Sequence, residues 1–228
     1  NNGNTIPSGA EWQQVSSFAT NEIVWTLTFD MEGNLLAGTW GGKIYTSTNN
    51  GVNWTIINEG MNASYIWSIA VDSLNNYYAA TNIGVFKSTN GTSWVNVGLA
   101  NYDVRAFAID RNKNLYAGTW GAGIFKSTDN GANWVESNQG LNSLAVHALV
   151  VNSANDIFVG TFGGGISKSF DGASNWNAID GTYDFIWSLG VNSNELLFAG
   201  TYSNGLYTST DDKINWNHEG GINSNYIY

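Results

Sequence analysis

Tryptophan recurs at a nearly constant interval along the chain, and this periodicity constrains the fold more than any other feature. Six tryptophans are separated by 42, 40, 40, 42 and 40 residues: Trp12, Trp54, Trp94, Trp134, Trp176 and Trp216. Five of them end related stretches, which read STNNGVNW, STNGTSW, STDNGANW, SFDGASNW and STDDKINW. A period of about 41 residues indicates one supersecondary unit per repeat, and a unit of this size buries its apolar face by stacking on its neighbours.

Within a repeat, apolar residues alternate with polar ones, and β-branched and aromatic residues are frequent. In one repeat the stretches IWSIAVD (66–72), NYYAAT (76–81), GVFKST (84–89) and SWVNV (93–97) are predicted to be four strands, named A, B, C and D. No helical pattern of useful length occurs in the sequence. Four-stranded antiparallel units at this period are typical of β-propeller blades, so an all-β propeller is predicted.

The whole chain, residues 1–228, is predicted to form one propeller domain with five complete blades. These blades span residues 23–58, 65–98, 103–138, 145–180 and 185–219. Residues 1–22 and 220–228 would supply only an outer strand, EWQQV, and an inner strand, NYIY, of a sixth blade. Either the chain is a piece of a larger propeller, which we favour, or the sixth blade is completed by another chain or by terminal residues in unusual roles. Because an open strand edge promotes association, self-association is a further expectation.

The Ser-x-Asp-x-Gly-x-x-Trp stretch between strands C and D resembles the Asp-box, a BNR-type repeat of sialidases, xyloglucan-active glycoside hydrolases and sortilin-type receptors. The strand A to B pattern, as in VWTLTFDMEGNLLAGTW, is similar to propeller repeats of bacterial two-component sensors. This resemblance covers nearly the whole chain and implies a propeller fold. It implies no single activity, because these families perform unrelated tasks on one scaffold. The Asp or Asn of the stretch is predicted to accept backbone hydrogen bonds in a turn.

Loop lengths distinguish the two faces of the predicted propeller. From the end of strand A to the end of strand B the distance is nine residues in all five repeats, as from Asp30 to Thr39. From the repeat Trp to the start of the next strand A it is 13 residues in three repeats and 11 in the other two. We expect the constant A–B side to be scaffold and the variable D–A and B–C side to carry function.

Large and polar side chains occupy two aligned positions on the variable face. The first position, at the start of strand A, holds Trp25, Trp67, Arg105, His147 and Trp187. The second position, just after strand B, holds Trp40, Asn82, Trp120, Phe162 and Tyr202. We call these ten residues the mouth ring, because the innermost strand leads to the central channel. We expect the ring to bind a carbohydrate, by stacking on Trp and by hydrogen bonds from Arg105, His147 and Asn82. Two alternatives are packing between twisted blades and a protein interface.

Catalysis is the rival interpretation of the same face. The resemblance implies three substrate-clamping arginines for a sialidase, and the chain contains only Arg105 and Arg111, which argues against that activity. Another glycosidase would need two carboxylates roughly 5 to 9.5 Å apart. The acids near the variable face are Glu22, Asp103, Asp180 and Asp184, and the candidates among them are Glu22, Asp103 and Asp184. Acids in loops are usually solvated, so a noncatalytic module is favoured.

Charge and composition exclude several other classes. Eighteen acidic and eight basic residues give a net charge of −10, which disfavours nucleic acid as a partner. The chain has no Cys, no His spacing typical of a metal site and no apolar run of membrane length, so no metal, no cofactor and no membrane insertion are expected. The sequence thus predicts a secreted or periplasmic binding module for a glycan or a protein partner. The alternatives are a glycoside hydrolase fragment and a structural or sensory interaction propeller.

Overall fold

The computed structural model describes residues 22–179, 185–210 and 216–219. These residues form five antiparallel sheets of four strands each, in which every strand pairs with the next one along the chain. No helix occurs in the ranges described. The prediction of an all-β propeller with five four-stranded blades is confirmed. The predicted partial sixth blade falls on residues 1–21 and 220–228 and lies outside the described residues.

Each blade contributes one strand of each kind, from the channel outward. The innermost strands A are β1 (Val24–Phe29), β5 (Ile66–Val71), β9 (Val104–Ile109), β13 (Val146–Val151) and β17 (Ile186–Val191). The strands B are β2 (Leu35–Thr39), β6 (Tyr77–Thr81), β10 (Leu115–Thr119), β14 (Ile157–Thr161) and β18 (Leu197–Thr201). The strands C are β3 (Ile44–Ser47), β7 (Gly84–Ser88), β11 (Gly123–Ser127), β15 (Gly165–Ser169) and β19 (Leu206–Ser209). The outer strands D are β4 (Thr55–Ile56), β8 (Val95–Asn96), β12 (Val135–Glu136), β16 (Asn177–Ala178) and β20 (Asn217–His218).

The hydrophobic core lies between consecutive blades. Leu36 and Ile44 of the first blade pack with Ile66 and Ile69 of the second, and all four side chains are buried. Strands B and C are buried on both faces because each lies in a sheet that is covered by a neighbouring sheet on either side. The alternation of the sequence therefore weakens in these strands into nearly continuous apolar runs.

The turns between strands A and B explain the constant length of that loop. Asp72 follows β5, and its Oδ1 accepts the backbone N–H groups of Leu74 and Asn76 at 2.8 and 2.9 Å. The turn also joins blades, since the amide of Met31 donates to Oδ1 of Asn75 in the next blade at 3.2 Å. An inserted residue would break both sets of bonds, which accounts for the constant length of this loop.

The hairpin between strands C and D is held by side-chain oxygens. In the third blade the Ser127 hydroxyl accepts the amide of Gly131 at 2.9 Å, and Oδ1 of Asp129 accepts the amide of Asn133 at 2.9 Å. Trp134 then donates its indole Nε1–H to the carbonyl of Val97 in the preceding blade at 2.9 Å. The acidic residue thus acts as an acceptor within a turn, and the repeat tryptophan ties two blades together.

The first blade differs from the others in the exposure of its inner strand. Leu27 and Phe29 of β1 are each 63% exposed, whereas Ile69 and Phe107, which align with Leu27 in the next two blades, are each 6% exposed. In those later blades the same positions pack against the preceding blade. The face of β1 that carries Leu27 and Phe29 is therefore apolar, like the interface between two blades, but it is exposed to solvent.

Candidate functional site

A β-bulge at the start of every strand A places the first set of mouth-ring residues. In each blade the pairing between strands A and B skips one residue, and the skipped residues are Trp25, Trp67, Arg105, His147 and Trp187. A bulge adds one residue on one strand and re-aims its side chain. All five skipped residues line a central cavity of about 890 Å³.

Four aromatic side chains cluster on the first two blades. Trp25 contacts Trp40 and Trp67 edge to face, with ring centroids 5.8 and 5.2 Å apart. Tyr65 joins the cluster at 5.0 Å from Trp40 and 5.2 Å from Trp67. Edge-to-face contacts are the favoured geometry for aromatic pairs, so this cluster forms a stable apolar platform beside the channel.

A second aromatic cluster covers the third, fourth and fifth blades. It consists of Trp120, His147, Phe162, Phe185, Trp187 and Tyr202. The His147 ring lies 4.8 Å from Trp120 and 4.4 Å from Trp187 between ring centroids. Phe162 and Phe185 stack face to face at 3.9 Å. The aromatic surface therefore continues from blade to blade around the mouth.

Arg105 connects the two clusters. Its guanidinium carbon lies 4.9 Å from the Trp67 ring centroid and 4.2 Å from the Trp120 ring centroid, both within cation–π range. Its Nε donates to Oδ2 of Asp103 at 3.0 Å, while Oδ1 of Asp103 accepts the Trp67 indole N–H at 2.7 Å. The Nη1 of Arg105 lies 3.4 Å from Nε2 of His147. One arginine thus holds two indoles, a carboxylate and an imidazole in fixed relative positions.

The imidazole of His147 is uncharged at neutral pH. Burial, together with the nearby positive charge of Arg105, lowers the pKa of His147 to about 4. Both effects disfavour a second cation at this point. The neutral ring keeps one nitrogen as an acceptor, and Nε2 can receive an N–H from Arg105.

The second position of the mouth ring faces solvent more than the first. Trp40 is 46% exposed and Trp120 is 41% exposed, and Phe162 and Tyr202 are also exposed. The five bulge residues are less exposed than these four and are all partly buried. The mouth therefore presents aromatic faces to solvent, while Arg105 and His147 line the central cavity.

Asn82 has a local task within the loops. Its Oδ1 accepts the backbone amides of Ser64 and Tyr65 at 2.9 and 3.0 Å. These bonds fix the segment that carries Tyr65 into the first aromatic cluster. A ligand-binding role for Asn82 stays a prediction, and its amide oxygen is already used by the protein.

The candidate acids Glu22 and Asp103 each interact with a different set of side chains. Glu22 accepts the hydroxyl of Thr39 at 2.7 Å and pairs with Lys43. Burial opposes ionisation of Glu22, but the hydrogen bonds from Lys43 and Thr39 and the Lys43 charge outweigh it and lower the pKa of the carboxyl. Asp103 uses both oxygens for Arg105 and Trp67. Asp184, like Asp180, lies outside the described residues, so its role stays a prediction.

Comparison with known proteins places the chain by fold. No protein family matches it, and no curated protein does. Among solved structures it is similar to an ancestral GH74 enzyme, with a TM-score of 0.76 and 22% identity over 94% of this chain and 33% of that one. It is similar to the extracellular domain of a protein described as a hybrid two component system from B. thetaiotaomicron, with a TM-score of 0.74 and 22% identity over 90% of this chain and 30% of that one. What these proteins share with the chain is the propeller fold.

A third similar structure comes from another class of enzyme. Virginiamycin B lyase from Staphylococcus aureus, in a structure with Quinupristin, has a TM-score of 0.76 at 10% identity over 91% of this chain and 74% of that one. The chain spans only about a third of the first two structures. Because enzymes and a sensor domain share the architecture, the fold alone does not select a function.

Two negative findings apply to the described part of the chain. Within it, no group of three or more His, Asp or Glu side chains is arranged to hold a metal ion. Within the same residues, no helix has the length and apolar character needed to cross a membrane.

Sequence reasoning missed two members of the aromatic surface. Tyr65 and Phe185 each precede a bulge residue by two positions and were not included in the mouth ring. A spacing of two in an extended chain places side chains on the same side, and the same spacing joins Asp103 to Arg105. This spacing of two residues is the sequence signal that would have placed Tyr65, Phe185 and Asp103 beside their bulge residues.

Proposed function

We propose that the chain is a noncatalytic binding module that holds a carbohydrate on the aromatic surface at the channel mouth. The observation that carries this proposal is the exposure of Trp40 and Trp120 on either side of a fixed polar cluster around Arg105. Sugar rings present flat C–H faces that stack on indoles, and they present hydroxyls that require oriented hydrogen-bond partners. The mouth offers both kinds of group within one surface.

Arg105 is the principal hydrogen-bond donor in this proposal. A guanidinium has five N–H donors. Among the described residues, Asp103 takes the Nε–H and His147 faces one N–H of Nη1. Three N–H groups are left to meet ligand hydroxyls in the cavity that Arg105 lines. Since its carboxylate and imidazole partners hold the guanidinium in place, binding costs little additional side-chain entropy.

A noncatalytic role is supported by the state of the acids. A glycosidase requires one carboxyl that is protonated before it acts, which demands a raised pKa. The pKa of Glu22 is lowered instead, and both oxygens of Asp103 already accept hydrogen bonds. A hydrolase fragment is the second candidate, favoured only by the similarity in fold to a GH74 enzyme.

The same proposal includes the type of repeat and the location of the protein. We take the hairpins between strands C and D as Asp-box repeats, because Oδ1 of the Asn or Asp at the motif position accepts a backbone amide in four successive blades. We take the protein as secreted or periplasmic. The similarity to extracellular sensor domains supports that location, and so does the low Lys and Arg content of the sequence.

A glycan array probed with the purified chain tests the proposal. We expect binding to one class of glycan, and loss of that binding in Trp120→Ala, which removes an exposed indole. Phe170→Ala is the matched control, because it removes an exposed aromatic side chain outside the mouth ring. The proposal fails if the array shows no binding by a folded sample, or if Phe170→Ala weakens binding as much as Trp120→Ala does.

A further inference from the structure

The arrangement of charge at the mouth points to the class of sugar that fits there. We infer that the site selects neutral sugars over acidic sugars, and that Asp103 is the specificity-determining residue because it cancels the charge of Arg105. This inference rests on the proposed function, since it concerns the ligand of the same surface.

Arg105 and Asp103 form a compact and partly shielded ion pair. Their side chains are 21% and 29% exposed, and Nε lies 3.0 Å from Oδ2. The other carboxylate oxygen is held by the Trp67 indole at 2.7 Å, so Asp103 cannot swing away when a ligand arrives. Two opposite charges this close produce little field at the distance of a ligand group beyond them.

Within the described part of the chain, the surroundings of this pair add no compensating positive charge. Arg105 is the only permanently charged side chain among the described residues that line the central cavity. His147 is the other titratable polar group facing Arg105, and it is neutral near pH 7. The whole chain carries a net charge of −10. An acidic ligand that approaches the mouth therefore meets a cluster of Arg105, Asp103 and His147 with no net charge, on a protein whose own net charge is negative.

An acidic sugar gains little from such a cluster. Its carboxylate would share the Arg105 guanidinium with Asp103 and would lie close to a like charge, which offsets the attraction. It would also lose its hydration on entering the cavity. A hydroxyl can accept the remaining N–H groups of Arg105 without either cost. The discrimination thus comes from Asp103, not from the shape of the aromatic surface.

Asp103→Asn tests the inference with a minimal change. The amide keeps an oxygen for the Trp67 indole but removes the negative charge, so Arg105 becomes a free cation. The probes are D-glucose and D-glucuronate, which differ by a carboxylate at one carbon, titrated while the Trp67 indole resonance is followed by NMR. We expect glucuronate affinity to rise about tenfold in the variant, as one freed charge at a half-buried site implies, and glucose affinity to stay within about twofold.

Two further variants separate the local effect from a change in net charge. Glu136→Gln on the exposed outer strand β12 changes the net charge equally and should leave both affinities unchanged. Asp103→Asn combined with Arg105→Gln should lose the gain in glucuronate affinity, because the freed cation is then absent. A gain that survives this double variant would overturn the inference.

Other results of these titrations would also overturn the inference. The inference is wrong if the wild-type chain binds glucuronate as tightly as glucose, or if Asp103→Asn gains no more affinity than Glu136→Gln. Should Asp103→Asn not fold, the wild-type comparison of the two sugars decides alone. Failure of the proposed function is a different result: the wild-type chain then binds neither glucose nor any glycan on the array, whatever Asp103→Asn does with glucuronate.

Discussion

At the scale of single residues, the fourth blade shows how one exchange of side chains accommodates a buried cation. The second blade has Asp72 and Asn76 in its A–B turn, whereas the fourth has Asn152 and Asp156. The turn survives, because Oδ1 of Asn152 accepts the Asp156 amide at 2.8 Å, as Asp72 does for Asn76. The relocated carboxylate lies 2.7 Å from Nζ of Lys168, which is only 3% exposed.

We predict that Asp156→Asn destabilises the protein strongly, because it removes the negative charge that lies 2.7 Å from the buried Lys168 ammonium. Breaking a buried ion pair from one side costs about 3 kcal/mol. Urea unfolding followed by tryptophan fluorescence measures the loss. The double variant Asp156→Asn with Lys168→Met should recover most of it, since no buried charge remains. A single variant as stable as the wild type would show that Lys168 does not depend on this carboxylate.

A second prediction at this scale concerns pH. His147 has a pKa of about 4 in the folded chain and about 6.5 when unfolded. The unfolded chain therefore binds the proton first, and the free energy of unfolding falls as the pH drops from 7 towards 5. After allowance for partial exposure the loss is about 1 kcal/mol. Denaturant unfolding at several pH values should show this slope in the wild type and a flatter one in His147→Gln. Equal slopes would contradict the assignment.

At the scale of secondary-structure elements, strand B carries a small residue beside the bulge in strand A. This position holds Gly38, Gly118, Gly160 and Gly200 in four blades and Ala80 in the second. The next blade packs tightly there: a Cβ placed on Gly38 would lie 2.6 Å from Cγ2 of Ile66. Close approach of the next blade, not a special backbone conformation, explains Gly38, Gly118 and Gly160.

Gly118→Ala is therefore expected to destabilise the protein by about 2 kcal/mol, because the new methyl group overlaps the Val146 side chain. Val146→Ala also costs stability, but the two changes together should cost less than the sum of the single losses. Unfolding midpoints of the three variants test this coupling. Ala80→Gly in the second blade is the control for glycine content and should cost less than about 1 kcal/mol. If the two losses of stability add exactly, the side chains at positions 118 and 146 do not interact, which would contradict this explanation.

The sequence predicted the elements better than the contacts between them. Trp spacing and apolar alternation revealed five four-stranded blades, because both are local patterns. Alignment of the repeats also located the ring position that carries Trp67 and Arg105. The bulge was not predicted, because it depends on the pairing register between strands A and B, which alternation alone does not report. The link from Asp103 to Trp67 spans two blades, so it appeared only in the structure.

At the scale of the whole molecule, the exposed face of β1 keeps self-association as a prediction. Leu27 and Phe29 offer apolar area that the later blades bury, and burial of such area drives association. Light scattering should show a mass above that of one chain that falls with dilution. Leu27→Glu should reduce the mass to that of a monomer. Val135→Glu is the control, since Val135 is exposed on the outer strand β12 of the third blade. A wild-type monomer at every concentration would contradict the prediction.

The indole N–H resonances test the central claim, that the mouth ring binds the ligand, most directly. The chain carries its own control, because Trp94, Trp134 and Trp176 donate their indole N–H groups to backbone carbonyls between blades. We would titrate the labelled protein with the glycan that binds best on the array. The account predicts shifts for Trp40 and Trp120 and none for the three repeat tryptophans. Shifts confined to the repeat tryptophans, or none at saturating glycan, would contradict it.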